Sequence, residues 1–361
     1  MRGTVGPLHV HAPALQLLAD NPERALDLSE RLAGTVRARG LIGGLPHMLL
    51  VQTEAAIALG QLVSAVTVGG EALRLAEQTG QRRAATSASA ALAYAMAWSG
   101  EQHRCHELAA AAEHGRSSRA DADSAMALLA RCLLDAGTGH PAEALERWRG
   151  SDPELLDHPV TVSLGLPEWI EAAARTGDIG RVSELLDRYE LWACGHQGAA
   201  ARAVAHRCRA LLGIGDEARS EFEAALRPHR RTHRPLAQAR TELAYGEWLR
   251  RARRPIAARA RLRAAYHRFV TAGAHTWAGR ARTELRAAGE TVDAESSTPV
   301  GTALSAQELQ VARLAAAGRT NREIGAELFL RPRTVGYHLH KIYTKLGITS
   351  RHDLVARGIL A

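Results

Sequence analysis

The chain has 361 residues, a formal net charge of +8, 46% apolar residues and only 4% aromatics, which is long enough for two or more domains with separate cores. Its four cysteines, Cys105, Cys132, Cys194 and Cys208, form no C-x-x-C pair and no disulfide spacing; they exclude a disulfide-stapled scaffold and read as small core residues in a reducing compartment. No apolar run approaches the roughly 18 residues of a membrane span and no basic segment precedes an apolar one at Met1, so the expectation is a soluble, cytoplasmic protein with no membrane contact.

From about residue 12 to 288 the composition is rich in Ala, Leu, Arg and Glu, poor in β-branched residues, and broken every 15 to 20 residues by Gly or Pro. That predicts helices and turns throughout. Gly60, Gly100, Gly139, Gly177 and Gly215 follow one another at intervals of 40, 39, 38 and 38 residues, the length of one helical hairpin. Each is preceded by a small, apolar helix such as "ALAYAMAW" and followed by another such as "GRVSELLDRYEL". A single hairpin cannot bury its apolar face, so six or seven of them are expected to stack as a solenoid. The pattern resembles the tetratricopeptide-like arrays, with a period longer than their 34 residues; an irregular α-helical bundle is the alternative.

Charge is distributed unevenly. Residues 1–226 hold 21 Arg against 28 acids, whereas residues 227–286 hold 16 Arg against 3 Glu. The second stretch reads either as solvated helix faces or as a surface for phosphates or an acidic partner. Next comes "AGETVDAESSTPVGTA", residues 288–303, without apolar periodicity and rich in Ser, Thr, Gly and acids. The predicted organisation is therefore a helical-repeat sensor or interaction domain over 1–288, a linker over 289–303 and a separate head over 304–361.

The head is punctuated residue by residue. Ser305 with Glu308, flanked by Leu304 and Leu309, gives a capping box and hydrophobic staple for a first helix that Gly318 stops. Thr320 with Glu323 opens a second, short helix carrying Ile324 and Leu328 on one face. Phe329, Leu330 and Arg331 form a three-residue turn, and Pro332 suits the first position of a third helix, 332–346. Ser350 and Asp353 open a fourth, with Leu354, Val355 and Ile359 inward. Two helices across a three-residue turn make a helix-turn-helix. At 100° per residue Val335, Leu339, Ile342 and Leu346 form a buried seam, and Arg333, Tyr337, His340, Lys341 and Thr344 lie opposite, as the floor of a DNA major groove requires.

The stretch "LSAQELQVARLAAAGRTNREIGAELFLRPRTVGYHLHKIYTKLGITSR" resembles the LuxR-type helix-turn-helix of bacterial transcription regulators, and the array before it resembles the C-terminal part of the large ATP-binding LuxR regulators. The resemblance implies that Thr334 and Lys341 lie near phosphates and that Gly336, Tyr337 and His340 face base edges. Arg333 joins the candidate base-facing set; Thr320, Arg322, Arg331, Thr344, Lys345 and Arg351 complete the candidate phosphate contacts. Arg331 stands where the family has a capping Ser or Thr, and Gly336 where it has a longer polar residue, so readout is expected to rest on Arg333, Tyr337 and His340.

Catalytic motifs are absent. Neither lysine follows a glycine, so there is no G-x-x-x-x-G-K-[ST] phosphate loop, and the chain reads as a shortened relative or a fragment that kept the sensor and head. There is no G-x-S-x-G, H-E-x-x-H or dinucleotide fingerprint, and "HRCH" at His103–His106 lacks a second cluster for a metal. The expectation is an all-α, non-enzymatic, cofactor-free regulator: a tetratricopeptide-like array followed by a four-helix LuxR-type head. It would bind double-stranded DNA as a homodimer and meet RNA polymerase, with an effector or protein partner of unknown identity acting at the repeats. The alternative is an interaction scaffold with a degenerate head.

Overall fold

The structure is a computed structural model that describes residues 21–115, 121–180, 182–196, 198–229, 232–290 and 306–327, with residues 332, 335, 336, 339, 342 and 343 beyond them. It divides into two units, residues 1–292 and 293–361. Among the described residues every regular element is helical.

In the first unit α1 (Pro22–Ala38) precedes a series of hairpins: α2 (Leu45–Ala58) with α3 (Leu62–Gln78), α4 (Arg82–Ser99) with α5 (Gln102–His114), and α6 (Ala122–Gly137) with α7 (Pro141–Arg149). A single turn, α8 (Pro153–Leu156), and a wide turn over Thr161–Gly165 lead to α9 (Leu166–Thr176) with α10 (Val182–His196). Then come α11 (Ala199–Leu212) with α12 (Gly215–His229), α13 (Pro235–Arg251) with α14 (Pro255–Ala272), and α15 (His275–Ala287). The first helix of each hairpin is the inner one. In α4 and α6 small residues are buried on most sides, whereas α3 buries one stripe, Leu62, Ala65, Gly69, Ala72 and Ala76, at helical spacing.

The five periodic glycines all take positive φ, between 61° and 93°. Gly100 shows the reason: it ends α4 in the left-handed region, and its N–H returns to the Met96 carbonyl at 2.9 Å, a turn that a Cβ would strain. Continuing the series by 38 residues from Gly215 arrives at Arg253, whose φ of 56° makes it the one non-glycine residue in that region among those described. A search for glycines passes over this sixth break.

The array departs from an open solenoid, because its last hairpins return to its first. Trp277 of α15 lies 5.8 Å from Trp98 of α4, centroid to centroid. A Cβ on Gly137 would stop 3.1 Å from the Trp277 ring nitrogen, and one on Gly60 would fall 2.6 Å from Pro235. Small residues at these positions let the ends approach. The inner helices α4, α6, α9, α11, α13 and α15 thereby pack in a closed circuit, and residues between Ala56 and Leu134 share one core with residues between Ala210 and Ala288. Sequence periodicity reports the hairpin but not the curvature, so the closure was not anticipated.

Charge fills the centre of this circuit. Arg240, 2% exposed, stacks its guanidinium 3.8 Å above the Trp277 ring and reaches Glu168 at 2.7 Å and Glu171 at 2.6 Å. Arg280 joins Glu171 at 3.4 Å and Glu247 at 2.7 Å. Burial would raise the Glu171 carboxyl, but Arg240, Arg207 and Arg175 outweigh it and hold it below the ordinary range.

Cys105, Cys132 and Cys208 are buried, as core residues should be, but Cys194 is exposed. It follows Ala193 in the inward row Val182, Leu185, Tyr189 and Ala193, and one step of 100° carries it to the outer face.

His229 is buried with Nε2 3.0 Å from the Thr241 hydroxyl. Burial, reinforced by Arg207 and Arg268, pushes its imidazole from 6.5 down to about 3. Between these values the unfolded chain binds the proton that the folded chain refuses, so stability falls as pH falls. At pH 5 the expected loss from this group is about 2 kcal/mol. Urea midpoints at pH 7 and pH 5 for the wild type and His229→Gln test it: the variant should lose less on acidification, and an equal loss refutes the assignment.

Candidate nucleic-acid interface

In the second unit part of the predicted punctuation, Gly318 and the Thr320–Glu323 box, reappears as geometry, while Ser305, Ser350 and Asp353 lie outside the described residues. Helix α16 (Ala306–Ala316) ends as expected: Gly318 takes φ 82° and the Arg319 N–H returns to the Leu314 carbonyl at 3.1 Å, closing the last turn. The next helix, α17 (Asn321–Glu327), opens with a complete capping box. Thr320 donates its N–H to Glu323 Oε2 at 2.7 Å and its hydroxyl to the same oxygen at 2.9 Å, while the Glu323 N–H donates to Thr320 Oγ1 at 3.3 Å. The Thr320 backbone bond, then its hydroxyl, holds the Glu323 carboxyl below its usual range.

Val311, Ala312, Ala315, Ala316, Ile324, Val335, Leu339 and Ile342 form one buried cluster. Three of the four predicted seam residues, Val335, Leu339 and Ile342, are thus inward, and Leu346 lies outside the described residues. Tyr343, left out of the seam, packs half-buried against the same cluster; its position four residues after Leu339 was the available signal.

The candidate contact residues are unevenly placed. Thr320 and Arg322 are exposed at the start of α17, and Thr320 spends its hydroxyl on the cap. Gly336 is half-buried and helical; a Cβ there would stop 3.7 Å from Asn321 Nδ2, an ordinary contact. Nothing nearby therefore requires glycine, and a larger side chain has room at its base. Arg331, Arg333, Thr334, Tyr337, His340, Lys341, Thr344, Lys345 and Arg351 lie outside the described residues, as do the inter-helix turn and the fourth helix. In the array, the "HRCH" residues are split between faces: Cys105 is buried with its thiol pushed up to about 12 by burial, and His103 is exposed.

Residues 302–357 match the family model described as bacterial regulatory proteins, luxR family. The chain is similar to the transcriptional regulatory protein NarL of Mycobacterium tuberculosis, 37% identical over 65 residues, which are 18% of this chain and 30% of that protein. It is similar to the transcriptional regulatory protein LiaR of Bacillus subtilis, 38% identical over 74 residues, 20% of this chain and 32% of the relative. A protein of Mycobacterium bovis named as an HTH-type transcriptional regulator is 46% identical over 52 residues, 14% of this chain and 6% of its own length. The chain thus spans between 6% and about a third of the length of these relatives.

Proposed function

We propose, from the luxR-family match over residues 302–357, that the protein is a sequence-specific DNA-binding transcription regulator whose C-terminal segment is a LuxR-type helix-turn-helix domain. In this reading the third head helix, 332–346, enters the major groove, Arg333, Tyr337 and His340 meet base edges, and Thr334, Lys341 and neighbouring hydroxyl and basic residues hold phosphates. The array senses an effector or docks a partner and controls the head; the reading needs no catalytic step. A homodimer follows from the few base pairs that one helix can read, with half-sites about 10 base pairs apart.

The observation that carries the reading is the buried row Val335, Leu339 and Ile342 behind a capped α17. In this reading the helical phase set by that row assigns positions 337, 340 and 341 to the DNA-facing side. An electrophoretic shift assay of the full chain on genomic fragments, at two salt concentrations, tests it. Tyr337→Ala or His340→Ala should lower affinity for the preferred fragment by about 1 to 3 kcal/mol. Lys341→Ala should weaken all fragments alike and reduce the salt slope by about one. Gly336, where the family carries a longer polar side chain, favours the second reading, a scaffold with a head that no longer discriminates; binding without any fragment preference would select it.

A further inference from the structure

Between residues 235 and 290 the chain has four carboxylates, and each is committed to a particular arginine. Glu242 holds Arg268 at 3.0 Å, Glu247 holds Arg280 at 2.7 Å, Glu284 holds Arg250 at 2.7 Å and Glu290 holds Arg263 at 2.7 Å. Three arginines at the turn between α13 and α14 have no such partner. Arg251, Arg253 and Arg254 are exposed, and none of them makes an ion pair within 4 Å among the described residues. Beside them Ile256 is 78% exposed.

The backbone carries an independent observation. In each of the five preceding hairpins the equivalent break is a glycine with positive φ, and among the described residues only here does a side chain occupy the left-handed conformation. An L-residue there is strained, because its Cβ crowds the following carbonyl oxygen. The strain sits at the apex of the basic turn, where it projects a guanidinium that glycine could not supply.

Charge identifies the partner. Arg250 and Arg263 of the same hairpin are instead neutralised by Glu284 and Glu290. Exposed guanidinium groups without carboxylates match a phosphodiester backbone. We infer that Arg251, Arg253 and Arg254 form a phosphate-binding tip that contacts DNA flanking the sequence read by the head. The inference rests on the DNA-binding reading above and adds a second contact to it.

The test uses the full chain, its preferred fragment as a long duplex of about 60 base pairs, and a short duplex limited to the head's own site. Replacing Arg251, Arg253 and Arg254 together by Gln should reduce the slope of log affinity against log salt by about two to three on the long duplex. Affinity for that duplex at 0.1 M salt should drop at least about tenfold, with affinity for the short duplex unchanged. The corresponding Lys variant should keep the slope. Arg253→Gly should raise the melting temperature while removing about one contact from the slope, a pairing that a purely structural role would not produce. If the Gln variant keeps the wild-type slope and affinity on the long duplex, the tip does not bind DNA while the head reading stands. If the wild type shifts neither duplex at low salt, the head reading fails and takes the tip with it.

Discussion

Replacing Arg240 by methionine should destabilise the array by about 3 to 5 kcal/mol. The side chain is buried and joins three helices at once: it belongs to α13, pairs with Glu168 and Glu171 of α9, and stacks on Trp277 of α15. Removing it leaves two carboxylates without their main counterion; among the described residues the remaining ion pairs are Arg207 at 3.9 Å from Glu168 and Arg280 at 3.4 Å from Glu171. It also removes a desolvated cation–π contact. Changing Glu168 and Glu171 to Gln in the Arg240→Met background should recover much of the loss, because the penalty arises from uncompensated charge rather than from lost volume. Arg240→Lys should fall between, since an ammonium keeps the charge but not the planar fork. Urea denaturation followed by helical circular dichroism measures all three. An unchanged midpoint for Arg240→Met would mean that the closed circuit does not depend on its central ion pairs.

Leu339→Ala should cost the head about 2 to 5 kcal/mol through lost burial and the cavity left among Val311, Ile324, Val335 and Ile342. A unit this small has few other contacts to absorb that loss, so the head should unfold and DNA binding should disappear for every sequence. Hydrogen–deuterium exchange in the full chain separates the two units: peptides from 306–343 should lose protection in the variant while those from α13 and α14 keep it. Tyr337→Ala should leave that protection intact and lower only the preference among fragments. The opposite pattern, with Tyr337→Ala unfolding the head and Leu339→Ala merely loosening DNA, would mean that the helical phase is inverted.

The features legible in advance are those encoded within a few residues. A capping box needs a hydroxyl and a carboxylate three positions apart, so Thr320 and Glu323 can be paired from the sequence, and their hydrogen bonds follow. The inward row of the third head helix follows from one rotation angle. Cys194 was misplaced for the converse reason: cysteine favours the interior only on average, and its side on α10 is set by the apolar row beginning at Val182.

By itself, then, the sequence determined the helical hairpins, their glycine-marked period, the Thr320–Glu323 cap and the inward Val335, Leu339 and Ile342 of the head, and the basic character of the segment from 227. Each follows from backbone hydrogen bonding or apolar spacing over one or two turns. Only the tertiary structure decided that the array closes, with Arg240 reaching carboxylates 69 and 72 residues away and Arg280 one that is 109 residues away. It also decided which arginines meet a carboxylate and which, Arg251, Arg253 and Arg254 among them, make no ion pair among the described residues. The sixteen arginines from 227 to 286 share one chemistry, and nothing local tells them apart. Their roles separate only when the small residues at Gly60, Gly100 and Gly137 admit the last hairpins against the first, since that approach fixes which carboxylate each guanidinium can reach.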